Sequence, residues 1–501
     1  MSGVTGADDQ PQPILTLALR DEMVTAAFAG DVAASLAAGD VVALSGDLGS
    51  GKTTFARALL RGLAGDTTLE VPSPTFTLVQ TYATRTLNVA HFDFYRLSGP
   101  ADLDETGFGD AITEGAALVE WPERAGDRLP PETLWIAFEV HGAGRKVVVS
   151  GGGFLADRLI RSRAVRAFLD RSGWHGASRQ HLQGDASTRR YERVREGERS
   201  AVLMDWPPGS QLHAGDPRVS FRARGVRAVV AVDHALRKAG ISAPEILAVD
   251  EVSGLLLMED FGDEGLVIAG NPDAERYRAV IEMLAALHAR PRPDGLPVKS
   301  GPGHRLPMLS GAALLAEIVS FVEWFVPLVT GRKLSPAAAG EFEAIWLKLA
   351  NRLSEAEQGW VLFDLQSSNL FWLPEREGIA RIGVIDFQDM FVGPLAYDVA
   401  SICLDARVTI PAAMERMLRN RYVELRRAID PKFDEDRFEA GYAISAASRI
   451  MKNLGALSRL SAHGKPRYAN HLPRSREYLA RVLAAPVLSQ LALWYERNLT
   501  P

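Results

Sequence analysis

Residues 41–54 constrain the fold of this chain more than any other stretch. Val41-Val42-Ala43-Leu44 is an unbroken apolar run, the pattern of a strand buried on both faces. It leads into Gly46-Asp47-Leu48-Gly49-Ser50-Gly51-Lys52-Thr53-Thr54, and residues 55–63 then show helical periodicity. This is G-x-x-x-x-G-K-T between a strand and a helix, the context that a P-loop requires. Gly46, Gly49 and Gly51 let backbone N–H groups approach phosphate oxygens without a Cβ clash. The helix start adds a favourable dipole. Lys52 supplies a charge for the β- and γ-phosphates, and the Thr53 hydroxyl is suited to Mg²⁺. The whole loop, Asp47, Ser50 and Thr54 included, is the expected nucleotide-binding stretch. An α/β P-loop NTPase scaffold with ATP and Mg²⁺ as cofactors follows.

A P-loop also needs a second contact to the metal and a group that orients water. Asp93 closes Val89-Ala90-His91-Phe92-Asp93, and Glu120 closes Ala117-Leu118-Val119-Glu120 before Trp121-Pro122. Both read as apolar strands ending in an acid, where Walker B-type contacts occur. Either alone is as readily a surface acid. Beside a P-loop the pair favours Thr53, Asp93 and Glu120 as the metal set, with Glu120 acting on metal or water.

Of the 501 residues, 47% are hydrophobic and 24% charged, which excludes global disorder. One cysteine, Cys403, excludes a disulfide framework and a multi-cysteine metal site. A break falls at Gly151-Gly152-Gly153, a run suited to a hinge. Before it, residues 134–140 and 146–150 read as strands; after it, 154–172 read as an arginine-bearing helix. The expected organisation is a domain over 1–150, a linker and helix over 151–174, and a second domain over 175–501. Residues 1–150 hold 10 Lys+Arg against 20 Asp+Glu, a net charge of −10, while 151–501 hold 46 against 42, a net of +4. Neither part is basic enough to read as a nucleic-acid binder on charge. The acidic first part is either a plain solvated surface, the preferred reading, or a face for a protein partner. The opening MSGVTGADDQPQP lacks the basic flank and apolar stretch of an export signal. The apolar stretch 314–329 is interrupted by Glu317 and Glu323, short of the ~20 uncharged residues of a membrane span. A cytoplasmic chain with no membrane contact is expected.

GDLGSGKTT, VPSPTFTLVQTY (71–82), HFDFYRL (91–97) and LVEWP (118–122), in this order, resemble the TsaE family. These are small ATPases of the bacterial machinery that makes threonylcarbamoyladenosine in tRNA. The resemblance covers most of 15–150. It implies that Lys52 and Thr53 hold phosphates and Mg²⁺, that Asp93 contacts the metal, and that Glu120 is the second acidic group. Ser73-Pro74-Thr75 would be a loop that reports on nucleotide, and Trp121 lies near the nucleotide or in the core. The implied partners are TsaD and TsaB-like subunits, with tRNA met only indirectly through that complex.

After the break, acids recur in a fixed order. Asp364 and Asn369 form D-x-x-x-x-N within VLFDLQSSNL (361–370), the spacing of a kinase catalytic loop. The aspartate can take a proton from a substrate hydroxyl and the asparagine can hold Mg²⁺. Asp386, in VIDFQD (384–389), stands where a second Mg²⁺ contact follows a buried strand. The small polar turn GDASTRR (184–190) offers Ser187, Thr188 and nearby N–H groups to phosphates, a weak signal with one glycine. The segment LLMEDFGD (256–263) reads as a hinge strand whose backbone, at Glu259, could meet adenine.

GDASTRRY, LMDWPP, LMEDFGD, the LAALH helix (284–288), SSNLFWLP, GVIDFQD and GPLAYDVASI (393–402) resemble the aminoglycoside phosphotransferase-like kinases over most of 175–480. The nearest branch holds the anomeric kinases for N-acetylmuramate and N-acetylglucosamine of cell-wall recycling. The resemblance implies an α+β, two-lobed protein-kinase-like domain that makes a sugar 1-phosphate. It makes Asp364 the base and Asn369 and Asp386 the Mg²⁺ ligands. Three departures stand out: Leu362-Phe363 where kinases have His-Arg or similar, Leu365-Gln366 where relatives often have Tyr and His, and Met204 where many kinases carry a phosphate-binding Lys. They leave open a pseudokinase or regulatory module, or a kinase for an aminoglycoside or choline-like alcohol. Arg449, Lys452 and Arg459 recur at helical spacing and suit a solvated face better than a sugar-binding wall. His91, His288 and His463 read as core or surface histidines, and Cys403 as a buried small hydrophobe.

Overall fold

The computed structural model describes residues 13–84, 87–151, 153–182, 189–209, 223, 225–291, 295–298, 303–464 and 466–499. Ser187 and Thr188 lie outside the described residues. The elements β1 (Pro13–Leu19), α1 (Glu22–Ala33), β2 (Val41–Ser45), α2 (Lys52–Ala64), β3 (Val79–Ala83), β4 (Asn88–Asp93), α3 (Phe108–Glu114), β5 (Ala116–Glu120), β6 (Leu134–His141) and β7 (Gly144–Ser150) come first. Their strands form one sheet, ordered β1-β7-β6-β2-β5-β4-β3. The inner neighbours β6, β2, β5 and β4 run parallel and the outer pairings are antiparallel.

Strand alternation divides this sheet between two cores. Val42, Leu44, Val89 and Leu118 pack with Phe28 of α1 and Phe55 and Leu59 of α2. Val41, Ala43, Ala117 and Val119 pack with Phe94 and Phe108 on the other face. Both faces are covered, so the central strands carry apolar residues on both sides through most of their length. By the same period of two, His91, Asp93 and Glu120 share the α2 face with Val89 and Leu118. Register sets Asp93 directly opposite Glu120.

Helix α4 (Gly153–Arg171) follows the glycine run. Gly151 has φ +110° and passes so close to the Thr133 carbonyl that a Cβ would lie 2.3 Å from it. At Gly151 the backbone therefore passes too close to a neighbour for any side chain, and Leu155, Ala156 and Leu159 of α4 join the first core. Beyond α4, strands β8 (Ser178–Leu182), β9 (Arg190–Glu196), β10 (Arg199–Asp205), β11 (Ile246–Asp250) and β12 (Leu255–Glu259) form a second sheet, ordered β11-β12-β10-β9-β8. Contacts gather residues 1–207 and 247–258 into one unit and 208–246 and 259–501 into another. A buried ion cluster explains why the small sheet goes with the P-loop part. Asp31 of α1, fully buried, accepts from Arg163 at 2.8 Å, Arg166 at 3.1 Å and Arg179 at 2.9 Å. Arg179 also forks onto Glu192 at 2.6 and 2.9 Å. Several kcal/mol of desolvation per ion is offset only when each charge is matched in this way.

The second unit contains α5 (Val226–Lys238), α6 (Ala274–His288), α7 (Gly311–Ser320), α8 (Val326–Thr330), α9 (Pro336–Ser354), α10 (Ala396–Cys403), α11 (Ala412–Ile429), α12 (Glu435–Ala462), α13 (Leu472–Leu483) and α14 (Ser489–Leu499). Its strands are short: β13 (Val267–Ile268) pairs β14 (Asn271–Pro272), β15 (Gln358–Val361) pairs β18 (Phe391–Pro394), and β16 (Leu370–Trp372) pairs β17 (Ile382–Val384). The 28-residue α12 is the spine, capped at its start by the Asp434 carboxylate on the Arg437 N–H at 2.9 Å. The helical run 311–330 is long and apolar enough to cross a membrane by length and composition. In this unit its Phe321 and Phe325 are buried and stack 5.1 Å apart, with Phe342 beyond.

Candidate active sites

The P-loop site lies where β2, β4 and β5 end beside the start of α2. Gly46 (φ +129°) must be glycine, because a Cβ would lie 2.4 Å from the Phe138 carbonyl oxygen. Gly49 and Gly51 also have positive φ, and Gly51 caps α2. Lys52 folds back over its own loop, donating to the carbonyls of Gly46 at 2.7 Å and Asp47 at 2.9 Å. Its Nζ stands 4.1 Å from the Trp121 ring centre, so Trp121 belongs to the site. Burial lowers the Lys52 pKa against the pull of Glu120, Glu123, Asp93 and Asp47. Ser50 is buried, and its hydroxyl has no partner among the described residues. An orphaned hydroxyl inside a loop of left-handed glycines fits a phosphate cradle.

Thr53 and Glu120 are in contact, and Asp93 stands beside Glu120 on the neighbouring strand. The Thr53 hydroxyl donates to Glu120 Oε2 at 2.9 Å, and Glu120 Oε1 lies 3.0 Å from His91 Nε2. Asp93 Oδ2 accepts from Ser73 at 2.6 Å and Thr75 at 2.9 Å, which ties the 73–75 loop to the strand-end acid. Among the described residues no group of three or more His, Cys, Asp or Glu side chains is placed to hold an ion alone. A Mg²⁺–nucleotide site does not need one, since phosphates and water complete an octahedron begun by one or two carboxylates and a hydroxyl. The hard oxygen donors here fit that ion.

Two residues of this site escape the sequence reading. His91 is fully buried against Glu120 rather than an idle core histidine; alternation with Val89 was the signal that could have found it. Arg145 of β7 donates to the carbonyls of Ser50 at 2.8 Å and Gly49 at 3.2 Å. It lies 94 positions beyond Gly51 and nothing local marks it.

The second site is assembled from loops between the short strands. β15 ends at Val361, and the N–H groups of Leu362 and Phe363 donate to Asp398 at 2.7 and 3.1 Å. Phe363 takes φ +73°, a costly conformation for a bulky residue, and its ring packs 5.5 Å from Phe391 and 5.8 Å from Tyr397. Leu362 and Phe363 thus fill core where related loops have polar residues. The Asn369 amide donates to the Asp364 carbonyl at 2.9 Å, and the Asn369 carbonyl accepts from the Ile385 N–H at 3.0 Å. These bonds bring Asp364, Asn369 and the 385–386 segment into one backbone-linked unit. Asp386 has φ +60° and accepts from Gln388 at 3.1 Å. Asp405 secures the same loop by accepting the Ser367 N–H at 2.8 Å and the Tyr277 hydroxyl at 3.1 Å.

Glu259 ends β12, and its side chain and N–H are both engaged within the protein. Its carboxylate pairs with Arg376 and accepts the Glu245 N–H, and its own N–H donates to the Glu245 carbonyl at 2.8 Å. Arg449 and Lys452 depart from the solvated face assigned to them. Arg449 is buried and donates to the Phe363 carbonyl at 2.8 Å, and Lys452 lies 2.8 Å from Glu317 and 4.0 Å from Asp364. The 28-residue helix turns this face onto the catalytic loop. His288 is a core histidine as expected: burial holds its pKa down, and its Nδ1 lies 2.8 Å from the Tyr422 hydroxyl.

Residues 19–147 match the family described as Threonylcarbamoyl adenosine biosynthesis protein TsaE, and residues 178–436 match the Phosphotransferase enzyme family. A Caulobacter vibrioides protein named N-acetylmuramate/N-acetylglucosamine kinase is 36% identical over 357 residues, covering 67% of this chain and 96% of its own length. A Pseudomonas aeruginosa protein of the same name is 31% identical, over 61% of this chain and 84% of its own length. A Rickettsia typhi protein named tRNA threonylcarbamoyladenosine biosynthesis protein TsaE is 37% identical over 142 residues, 28% of this chain and 98% of its own length.

Proposed function

The chain belongs to the TsaE family through its first part and to the phosphotransferase enzyme family through its second, and from that premise we propose a bifunctional cytoplasmic protein. Its P-loop site hydrolyses ATP for the threonylcarbamoyladenosine modification of tRNA, in complex with TsaD and TsaB-like subunits. Its second site transfers the γ-phosphoryl group of ATP to the anomeric hydroxyl of N-acetylmuramate or N-acetylglucosamine. The kinase relatives' names support that acceptor.

The observation that carries the kinase reading is the Asn369 bridge from the Asp364 carbonyl to the Ile385 N–H. It supports reading Asp364 as the base, with Asn369 and Asp386 as nearby oxygen-bearing side chains suited to Mg²⁺. Asp364 takes the anomeric proton as the acceptor oxygen bonds to the γ-phosphorus; the bridging P–O bond breaks and ADP leaves with its electron pair. Asn369 and Asp386 would hold Mg²⁺, which neutralises phosphate charge when bound. In the P-loop site Thr53 and Asp93 would hold Mg²⁺, and Glu120, fixed by His91, would orient water. The test is ATP-dependent formation of an acid-labile sugar 1-phosphate by the full chain. No product from any N-acetyl amino sugar would refute this acceptor class.

A further inference from the structure

Lys452 stands closer to the second site's base than its place near the end of a long helix would suggest. Its Nζ lies 4.0 Å from Asp364 Oδ1, 2.8 Å from Glu317 Oε2 and 3.8 Å from the Phe363 ring centre. The three side chains are largely withdrawn from water: Lys452 is 16% exposed, Glu317 9% and Asp364 27%. A close helix crossing makes this possible. Gly455, one turn beyond Lys452, meets Ser320 so tightly that a Cβ would lie 2.4 Å from the Ser320 carbonyl carbon. Glu317 precedes Ser320 by the same interval, so the contact that requires Gly455 also brings Lys452 opposite Glu317. One turn earlier on α12, Arg449 fixes the Phe363 carbonyl at 2.8 Å. The face of α12 thus holds the backbone before the base and sets a cation beside the base itself.

We propose that Lys452, anchored by Glu317, is a positioning residue for phosphoryl transfer, orienting the Asp364 carboxylate toward the acceptor hydroxyl and offsetting its charge as the anionic phosphoryl group arrives. A carboxylate with no cation beside it repels the incoming anionic group. This role rests on the kinase reading above. It goes beyond that reading by adding a residue from a helix that carries none of the kinase motifs.

The experiment compares the full unmutated chain with Lys452→Met, Lys452→Arg and Glu317→Gln in steady-state phosphorylation of N-acetylglucosamine and N-acetylmuramate, with melting temperature measured alongside. Lys452→Met is expected to lower kcat about 30-fold, with KM for ATP within about twofold. Lys452→Arg is expected to recover most of that loss, and Glu317→Gln to lower kcat about fivefold by releasing the ammonium. A Lys452→Met chain that melts earlier yet keeps kcat within about threefold would reduce the pair to an interhelical strut and overturn the proposal. So would a Lys452→Arg chain as impaired as Lys452→Met. If Lys452→Met fails to fold, the folded Glu317→Gln chain decides: a loss of kcat of about fivefold supports the proposal, and a kcat within about twofold of the unmutated chain overturns it. An unmutated chain inactive on every sugar refutes the kinase reading; an active one indifferent to position 452 refutes only the role given to Lys452.

Discussion

The two nucleotide-handling sites of this chain are built in opposite ways. The P-loop site takes its phosphate cradle from nine consecutive residues, 46–54, and its acids from the ends of adjacent parallel strands. The kinase site draws Asp364, Asn369 and Asp386 from loops, then depends on Asp398, Asp405 and Arg449 to hold those loops. A contiguous cradle tolerates change elsewhere because strand and helix geometry enforce it. In a loop-built site, losing a support is expected to displace Asp364 itself.

The largest test of that contrast separates the sites. Asp364→Asn is expected to lower sugar phosphorylation about 1,000-fold while P-loop ATPase activity, assayed with the TsaD and TsaB-like partners, stays unchanged. Lys52→Ala is expected to do the reverse, with at least about 100-fold loss of ATP hydrolysis. Parallel loss of both activities in either variant would mean the sites are not independent.

Next comes the support of the first unit. Asp31→Ala leaves Arg166 buried without its carboxylate and Arg179 with Glu192 alone, and is expected to cost about 3–5 kcal/mol in urea unfolding. A cost under about 1 kcal/mol would show the P-loop part to be indifferent to the small sheet.

Asp398→Asn removes one of the two acceptors for Leu362 and Phe363 and should cost about 2–3 kcal/mol. Because those N–H groups precede the base, kcat for the sugar should fall as well. Stability lost with kcat intact would break the claim that the second site depends on its supports.

The smallest expected effect concerns Asp233 of α5, buried with neither oxygen hydrogen-bonded among the described residues. Burial, chiefly, raises its pKa to about 7. The folded state therefore keeps this proton between pH 4 and 7 while the unfolded chain releases it, so this group makes the fold less stable as pH rises through that window. Asp233→Asn should flatten the dependence and gain roughly 2 kcal/mol at pH 8 in thermal or urea unfolding. An unchanged pH profile would remove Asp233 as its source.

Legibility followed the same contrast. Strands β2, β4, β5 and β12 were readable because short apolar runs ending in an acid or glycine have few other uses. D-x-x-x-x-N and the aspartate after it were readable as a spacing. His91 and Arg145 were missed for different reasons: the first is visible only through strand alternation, the second only through a sheet pairing that folds β7 back toward the P-loop. Arg449 and Lys452 were assigned to solvent because helical spacing shows that residues share a face but not what the face meets.

The sequence by itself determined the two chemistries, since glycines before a lysine, and an aspartate five residues before an asparagine, satisfy requirements fixed by backbone geometry and charge. Only the tertiary structure decided which charges accompany each reacting group. His91 on Glu120, the arginines on Asp31 and Lys452 beside Asp364 meet across 29 to 148 positions of chain. Such meetings depend on the packing of whole helices and strands, including crossings that only a glycine such as Gly455 permits, and no local pattern records them.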